Sequence, residues 1–149
     1  MAASPSSDDS METTYAKPLP ALEGFAKEFY GWCKQNQLRF QRCTACGTWR
    51  HVPREMCAAC GSWEWEWAAS SGRGKVFTWT VIARALHPAF QTDTPYAPVV
   101  IEMDEGVRLL SQVVDCAPDQ LRIGMPVEVV FEDVTSEITL PKFRRAREK

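Results

Sequence analysis

Leu22, Phe25, Phe29 and Trp32 follow one another at intervals of three, four and three residues. That spacing sets them on one face of a helix and predicts one over residues 21–37. The stripe either packs on the rest of its own chain or docks a partner, since exposed patches of this kind mark interaction sites. From residue 75 the period changes to two. Runs at 75–83, 97–103, 107–114, 126–134 and 138–145 alternate and are rich in β-branched and aromatic residues, as strands are. Asp104, Glu105 and Gly106 make a connection short enough for a hairpin, so the second and third strands are expected to pair antiparallel. Between the third and fourth, residues 118–123 read as one helical turn that Gly124 releases. Five strands with a helical element at this place suit an OB-fold barrel.

These runs divide the chain. Residues 1–20 are rich in Ser, Pro, Asp and Thr and read as a flexible leader, because they lack the apolar area to offset ordering entropy. Residues 21–42 form a helical segment, 43–69 a metal ribbon, 70–141 the barrel and 142–149 a basic tail. At 149 residues the chain has room for a small metal module and a small barrel, not two large domains. It holds six Trp, of which Trp49, Trp63, Trp65 and Trp67 are expected to roof the ribbon. The N-terminus lacks the basic flank and apolar stretch of a secretory signal, and no run of about eighteen apolar residues occurs, so a cytoplasmic protein without membrane attachment is expected. Net charge is −2 although the tail carries five basic residues against one acidic. A net acidic chain is a poor footprint for neutralising phosphates.

The strongest chemical signal is Cys43-Thr-Ala-Cys46-Gly47 followed by Cys57-Ala-Ala-Cys60-Gly61. Two residues between thiolates let one tight turn aim both sulfurs at a common point, and a second such turn completes the tetrahedron that zinc accepts. Gly47 and Gly61 suit the positive φ that curls backbone amides toward sulfur. Four sulfur ligands leave no open position for water, so the Zn2+ site is structural, with iron in the same cage the alternative. Disulfides are disfavoured in a cytosolic chain, and a redox pair needs no second copy. His51 lies between the knuckles in no ligand spacing and reads as a loop residue. Cys33 and Cys116 read as small buried apolar groups.

The order of parts, helix, Leu38-Arg39-Phe40-Gln41-Arg42-Cys43, four-cysteine ribbon, Gly72-Arg73-Gly74-Lys75-Val76, Pro95-Tyr96-Ala97 and Ile123-Gly124-Met125-Pro126-Val127, resembles the zinc-ribbon/OB-fold acyl-CoA-associated family, long catalogued as a domain of unknown function. The resemblance covers about residues 21–143. It implies a mainly β chain with an N-terminal helix, a rubredoxin-like zinc ribbon and a C-terminal five-stranded OB barrel. It also implies a partner of the thiolase superfamily, either an acyl-CoA thiolase, a lipid-transfer-protein-like aldolase that shortens steroid side chains, or a related acyltransferase. No catalytic residue of the family maps here, because the partner supplies the chemistry.

Three functions are compatible with these features. The first is a non-catalytic accessory subunit whose helix and ribbon dock the catalytic subunit and whose barrel helps hold an acyl-CoA. The loop over residues 84–96 is where OB proteins take ligands, which makes Arg84, His87, Phe90 and Tyr96 the candidate ligand residues. Each has a plainer reading: Arg84 as a solvated strand end, His87 as part of a turn, Phe90 and Tyr96 as plugs of the barrel mouth. Trp79 reads first as a core or interface residue. The second function is a nucleic-acid-binding module, since aromatic residues on an OB face stack bases, and the net acidity weighs against it. The third, a freestanding enzyme, lacks a credible set of acid, base and nucleophile with only His51 and His87 in the chain.

Overall fold

The computed structural model describes residues 15–147. The leader read over residues 1–20 lies outside the described residues as far as residue 14, and so do the last two positions of the tail. Residues 15–20 form no helix or strand, yet they are tied to the barrel: Lys17 pairs with Asp93 and sits 5.3 Å from the centre of the Phe90 ring.

The helix, α1, spans Gly24–Lys34 and is shorter than the apolar stripe predicts. Its end is set by Asn36, whose φ of 61° lies in the left-handed region. There the Asn36 and Gln37 amides fold back onto the Cys33 and Trp32 carbonyls, which ends the ladder in the way a left-handed cap does. Residues 39–42, grouped with the helix in the sequence reading, instead join the ribbon as β1 (Arg39–Cys43). With β2 (Trp49–Arg50) and β3 (Trp65–Ala69) it forms an antiparallel sheet in the order β2-β1-β3.

Gln41 holds this small sheet to its loop. It is fully buried, and its Oε1 accepts from Arg50 Nε at 2.8 Å and from the Arg54 amide at 2.7 Å. Of the four Trp expected over the ribbon, Trp49, Trp65 and Trp67 are half-buried, but Trp63 is 66% exposed and roofs nothing. Trp65 and Trp67 leave the sheet on one face and meet edge to face at 5.3 Å.

The second sheet contains β4 (Arg73–Trp79), β5 (Val99–Met103), β6 (Arg108–Ser111), β7 (Pro126–Asp133) and β8 (Thr139–Arg145), in the order β6-β5-β4-β7-β8. All neighbours are antiparallel. The two edges then meet through a parallel bridge, Val113 with Phe143, which curls the sheet into an OB half-barrel. The β5–β6 hairpin turns at Gly106, whose φ is 94°. The short turn expected before β7 is a 3-10 helix over Pro118–Gln120. At Gly74 the strands approach so closely that an added Cβ would lie 2.6 Å from the Glu102 carbonyl oxygen.

The first barrel strand is shorter than expected, because residues 80–83 peel away, held to the chain before β5 by the Thr80 amide on the Pro98 carbonyl and by the bridge of Ile82 with Tyr96. The basic tail is also shorter: β8 runs to Arg145. Its cations face carboxylates, with Arg144 at 2.8 Å from Glu128, Arg145 at 3.6 Å from Asp115 and Lys142 at 3.6 Å from Glu132.

Helix α1 packs against β1 of the ribbon and against β7 and β8 of the barrel. The core therefore runs without a break from Phe29, Cys33 and Phe40 of the helix and ribbon into Val76, Ile101 and Phe143 of the barrel. No helix among the described residues is long and apolar enough to cross a membrane.

Candidate functional site

Two constellations carry chemistry: a thiol cluster at the ribbon tip and a groove where helix, ribbon loop and barrel meet.

The thiols come from two identical turns. The Gly47 amide returns to the Cys43 carbonyl and the Gly61 amide to the Cys57 carbonyl, at 2.9 and 2.8 Å, and both glycines have φ of 78°. That positive φ turns the chain without a Cβ clash. The result places the sulfurs of Cys43, Cys46, Cys57 and Cys60 within 4.8 Å of one another. The Cys46 amide lowers the Cys43 thiol pKa, and the Thr48 hydroxyl and amide bring Cys46 down to about 6. At Cys60 the Ser62 amide acts in the same direction, but the neighbouring Cys43 and Cys46 thiols push it up to about 12. Four thiolates this close repel, and a divalent cation among them relieves the repulsion. Donor type, number and spacing all fit a closed tetrahedral Zn2+ site held by those four residues.

His51 stands apart from that cluster. Its ring is pressed against Phe29 and Phe40, with both centroids 5.2 Å away, and burial pushes its pKa down to about 4. The unfolded imidazole takes its proton near pH 6.5. Between the two values the unfolded chain therefore binds more protons than the folded one, and stability falls as pH drops through that window. The full loss below pH 4 is on the order of 3 kcal/mol. Urea unfolding of wild type and of His51→Leu from pH 7 to pH 4 should show the difference between them shifting toward the variant by up to about that amount. A difference that does not change with pH counts against this assignment. Cys33 is fully buried with its thiol pushed up to about 12, and Cys116 is half-buried and also raised, both chiefly by desolvation.

The groove has a volume of about 730 Å³. Phe25, Phe29 and Tyr30 of α1 form one side, His51 to Pro53 an end, and Val100 and Leu110 line it from β5 and β6. Of the four candidate ligand residues, Phe90 and Tyr96 line it, with their rings stacked at 5.3 Å and 25°. Arg84 and His87 do not. Arg84 is exposed, and His87 is exposed with Nδ1 accepting the Ala89 amide at 3.1 Å, capping the 3-10 turn over Pro88–Asp93. Leu110, which is 68% exposed, was missed from the sequence. Its signal is the pair Leu109-Leu110, where two successive apolar residues break the alternation and one must face outward.

A second cavity of about 610 Å³ shares Tyr96, Ala97, Gln112 and Lys142 with the groove and adds the polar side chains of Lys17, Asp93 and Glu132.

Residues 33–66 match the family model described as the ChsH2 rubredoxin-like zinc ribbon domain, and residues 67–132 match the ChsH2 C-terminal OB-fold domain. A Thermomonospora curvata protein named a probable enoyl-CoA hydratase alpha subunit is 39% identical over 130 residues, covering 87% of this chain. The chain spans only 40% of that relative's length. A Methanocaldococcus jannaschii protein named a DUF35 domain-containing scaffold protein is 40% identical over 97 residues, covering 64% of this chain and 68% of its own length. Among solved structures, a chain of the Ltp2-ChsH2(DUF35) aldolase superposes with a TM-score of 0.79 at 39% identity, covering 87% of this chain and all of that one. Thiol turns, ribbon, barrel and relatives agree, and the chain belongs to the DUF35 family of ChsH2-type zinc-ribbon and OB-fold proteins.

Proposed function

We propose that the chain is a non-catalytic accessory subunit of a thiolase-superfamily acyl-CoA enzyme, working in the cytoplasm. It docks the catalytic subunit, helps hold the acyl-CoA, and carries one structural Zn2+ on Cys43, Cys46, Cys57 and Cys60. The observation that carries this reading is the inventory of the groove. It is large enough for a ligand, yet its ionisable lining consists of Tyr30, Tyr96, Arg108, Lys142 and a neutral His51, with no thiol or carboxylate. Nothing there pairs a nucleophile with a base, so the chemistry falls to a partner. The names of the relatives support the same direction, one a scaffold and another a component of an aldolase. Nucleic acid is the weaker reading, because the cations of β8 are matched by carboxylates instead of forming a free basic stripe.

Two measurements test the proposal together. Co-expression with a thiolase-like or lipid-transfer-protein-like catalytic subunit should give a complex that co-elutes in size-exclusion chromatography. The isolated chain should leave acyl-CoA unchanged. Acyl-CoA turnover by the isolated chain, or separate elution of the two proteins, would overturn the accessory role.

A further inference from the structure

The stretch ahead of α1 is held to the barrel differently from the rest of the chain. Residues 15–20 read Tyr-Ala-Lys-Pro-Leu-Pro and form no helix or strand. Pro18 and Pro20 each fix their own φ and push the residue before them, Lys17 and Leu19, toward extended backbone, so the stretch is stiff. Among the described residues, no backbone hydrogen bond ties it to either sheet. Side chains hold it instead.

Lys17 supplies the contacts. Its ammonium pairs with Asp93, at the end of the 3-10 turn over Pro88–Asp93, and lies 5.3 Å from the centre of the Phe90 ring of the same turn. Lys17, Asp93 and Glu132 of β7 all line the second cavity. Tyr15 lies close to both carboxylates: burial raises its phenol pKa, Lys17 opposes the rise, and Glu132 and Asp93 add to it. Residues 15–17 therefore cross the cavity between the 3-10 turn and β7. Phe90 in turn stacks on Tyr96, which lines both cavities, so the Lys17 contact also bears on the wall between them.

We propose that residues 15–20 are a strap over the second cavity with Lys17 as its latch, and that release of Lys17 from Asp93 and Phe90 opens the cavity to solutes. The latch is weak enough to act reversibly. Lys17 and Asp93 both remain partly exposed, and an exposed ion pair adds little stability and is screened by salt. A cation over a partly exposed ring adds a comparable increment. With no hydrogen-bond ladder to break, a stiff segment lifts as one piece. The inference concerns the second cavity and stands apart from the accessory-subunit reading.

The experiment uses the full, zinc-loaded chain and a soluble nitroxide, whose collisions speed the NMR relaxation of the methyl groups it reaches. The reporters are Val99, Leu121 and Val130, which line the second cavity and not the groove, and Ile101, which is fully buried and lines neither. Lys17→Gln and Asp93→Asn should each raise relaxation at the first three by about two- to fivefold and leave Ile101 unchanged. Lys17→Arg keeps the cation and should behave as wild type. Raising NaCl from about 0.05 to about 0.5 M should move wild type toward Lys17→Gln. Chymotryptic cleavage after Tyr15, read by mass, should speed up in Lys17→Gln and Asp93→Asn.

Equal relaxation of the cavity methyls in wild type and all three variants would overturn the inference. Faster cleavage with no change at those methyls would show a loose end that covers nothing, and the strap would be wrong. A rise at Ile101 equal to that at Val99 would mean that the barrel itself has loosened, which removes the latch as the cause and the inference with it. Cavity methyls in wild type that ignore salt would rule out a charged latch.

Discussion

Chelating the metal from the purified, reduced chain is expected to unfold residues 43–64 while β4 to β8 remain paired. Apart from the Gln41 contacts to Arg50 and Arg54 and the packing of His51, little else supports the cage: its segment is two thiol turns, a two-residue strand and connections, and Cys46 and Cys60 lie at the surface. Metal binding at such a site is folding free energy, on the order of 10–16 kcal/mol for zinc-finger peptides at neutral pH. Cys43→Ser and Cys57→Ser should each lower zinc content from one per chain, because each removes a ligand from a different turn. Hydrogen exchange locates the damage. Amides of residues 43–64 should lose protection first, followed by those of α1, since Phe29 rests on Phe40 and on His51. The amides of Val127, Val129 and Phe143 belong to the barrel and should keep theirs. Exchange that rises equally in both sheets would mean that the ribbon and barrel have no boundary near Ser70, and a metal-free chain with an intact ribbon would sink the zinc assignment.

How much of this was legible depends on whether a feature is local in sequence. The thiol turns were, because spacing within five residues dictates where two sulfurs point, and two copies of one pattern leave little else to decide. The barrel strands were legible from alternation, with errors at the ends where loops peel away, as at residues 80–83. Strand β1 was not. Its sequence, Arg-Phe-Gln-Arg-Cys, carries a buried Gln and two Arg, and Gln41 faces inward only because Arg50 and the Arg54 amide satisfy its oxygen. That partnership exists only in three dimensions. The groove was the least legible, being assembled from the helix, the ribbon loop, the loop before β5 and three strands. Loop position alone put forward Arg84 and His87, whose side chains face solvent, together with Phe90 and Tyr96, whose stacked rings line the groove.

The stripe on α1 shows the same limit and leads to the second large effect. Read as a pattern, Phe29 and Trp32 look like equivalent anchors for a partner. In the fold they differ. Phe29 is 5% exposed and packs on Tyr30 at 5.1 Å, Phe40 at 6.4 Å and His51 at 5.2 Å, so its own chain already uses it. Trp32 is only half-buried, with the Arg39 guanidinium 4.5 Å from the centre of its ring. Phe29→Ala empties the point where helix, ribbon and barrel share a core, and a buried Phe truncated to Ala costs about 3–5 kcal/mol. For a chain of this size the melting temperature should fall by about 10 °C or more. Trp32→Ala removes a half-buried ring and its cation–π contact and should cost about 1–2 kcal/mol, less than Phe29→Ala. Thermal unfolding of the two single variants makes the comparison, and co-elution with the catalytic subunit is then read only for variants that remain folded. Under the proposed docking role, a partner contact on this helix is therefore expected at the half-buried Phe25 and Trp32 and not at Phe29. Should Phe29→Ala melt like wild type and yet lose the partner, the ring would be an interface anchor after all, and the shared core drawn through it would be wrong.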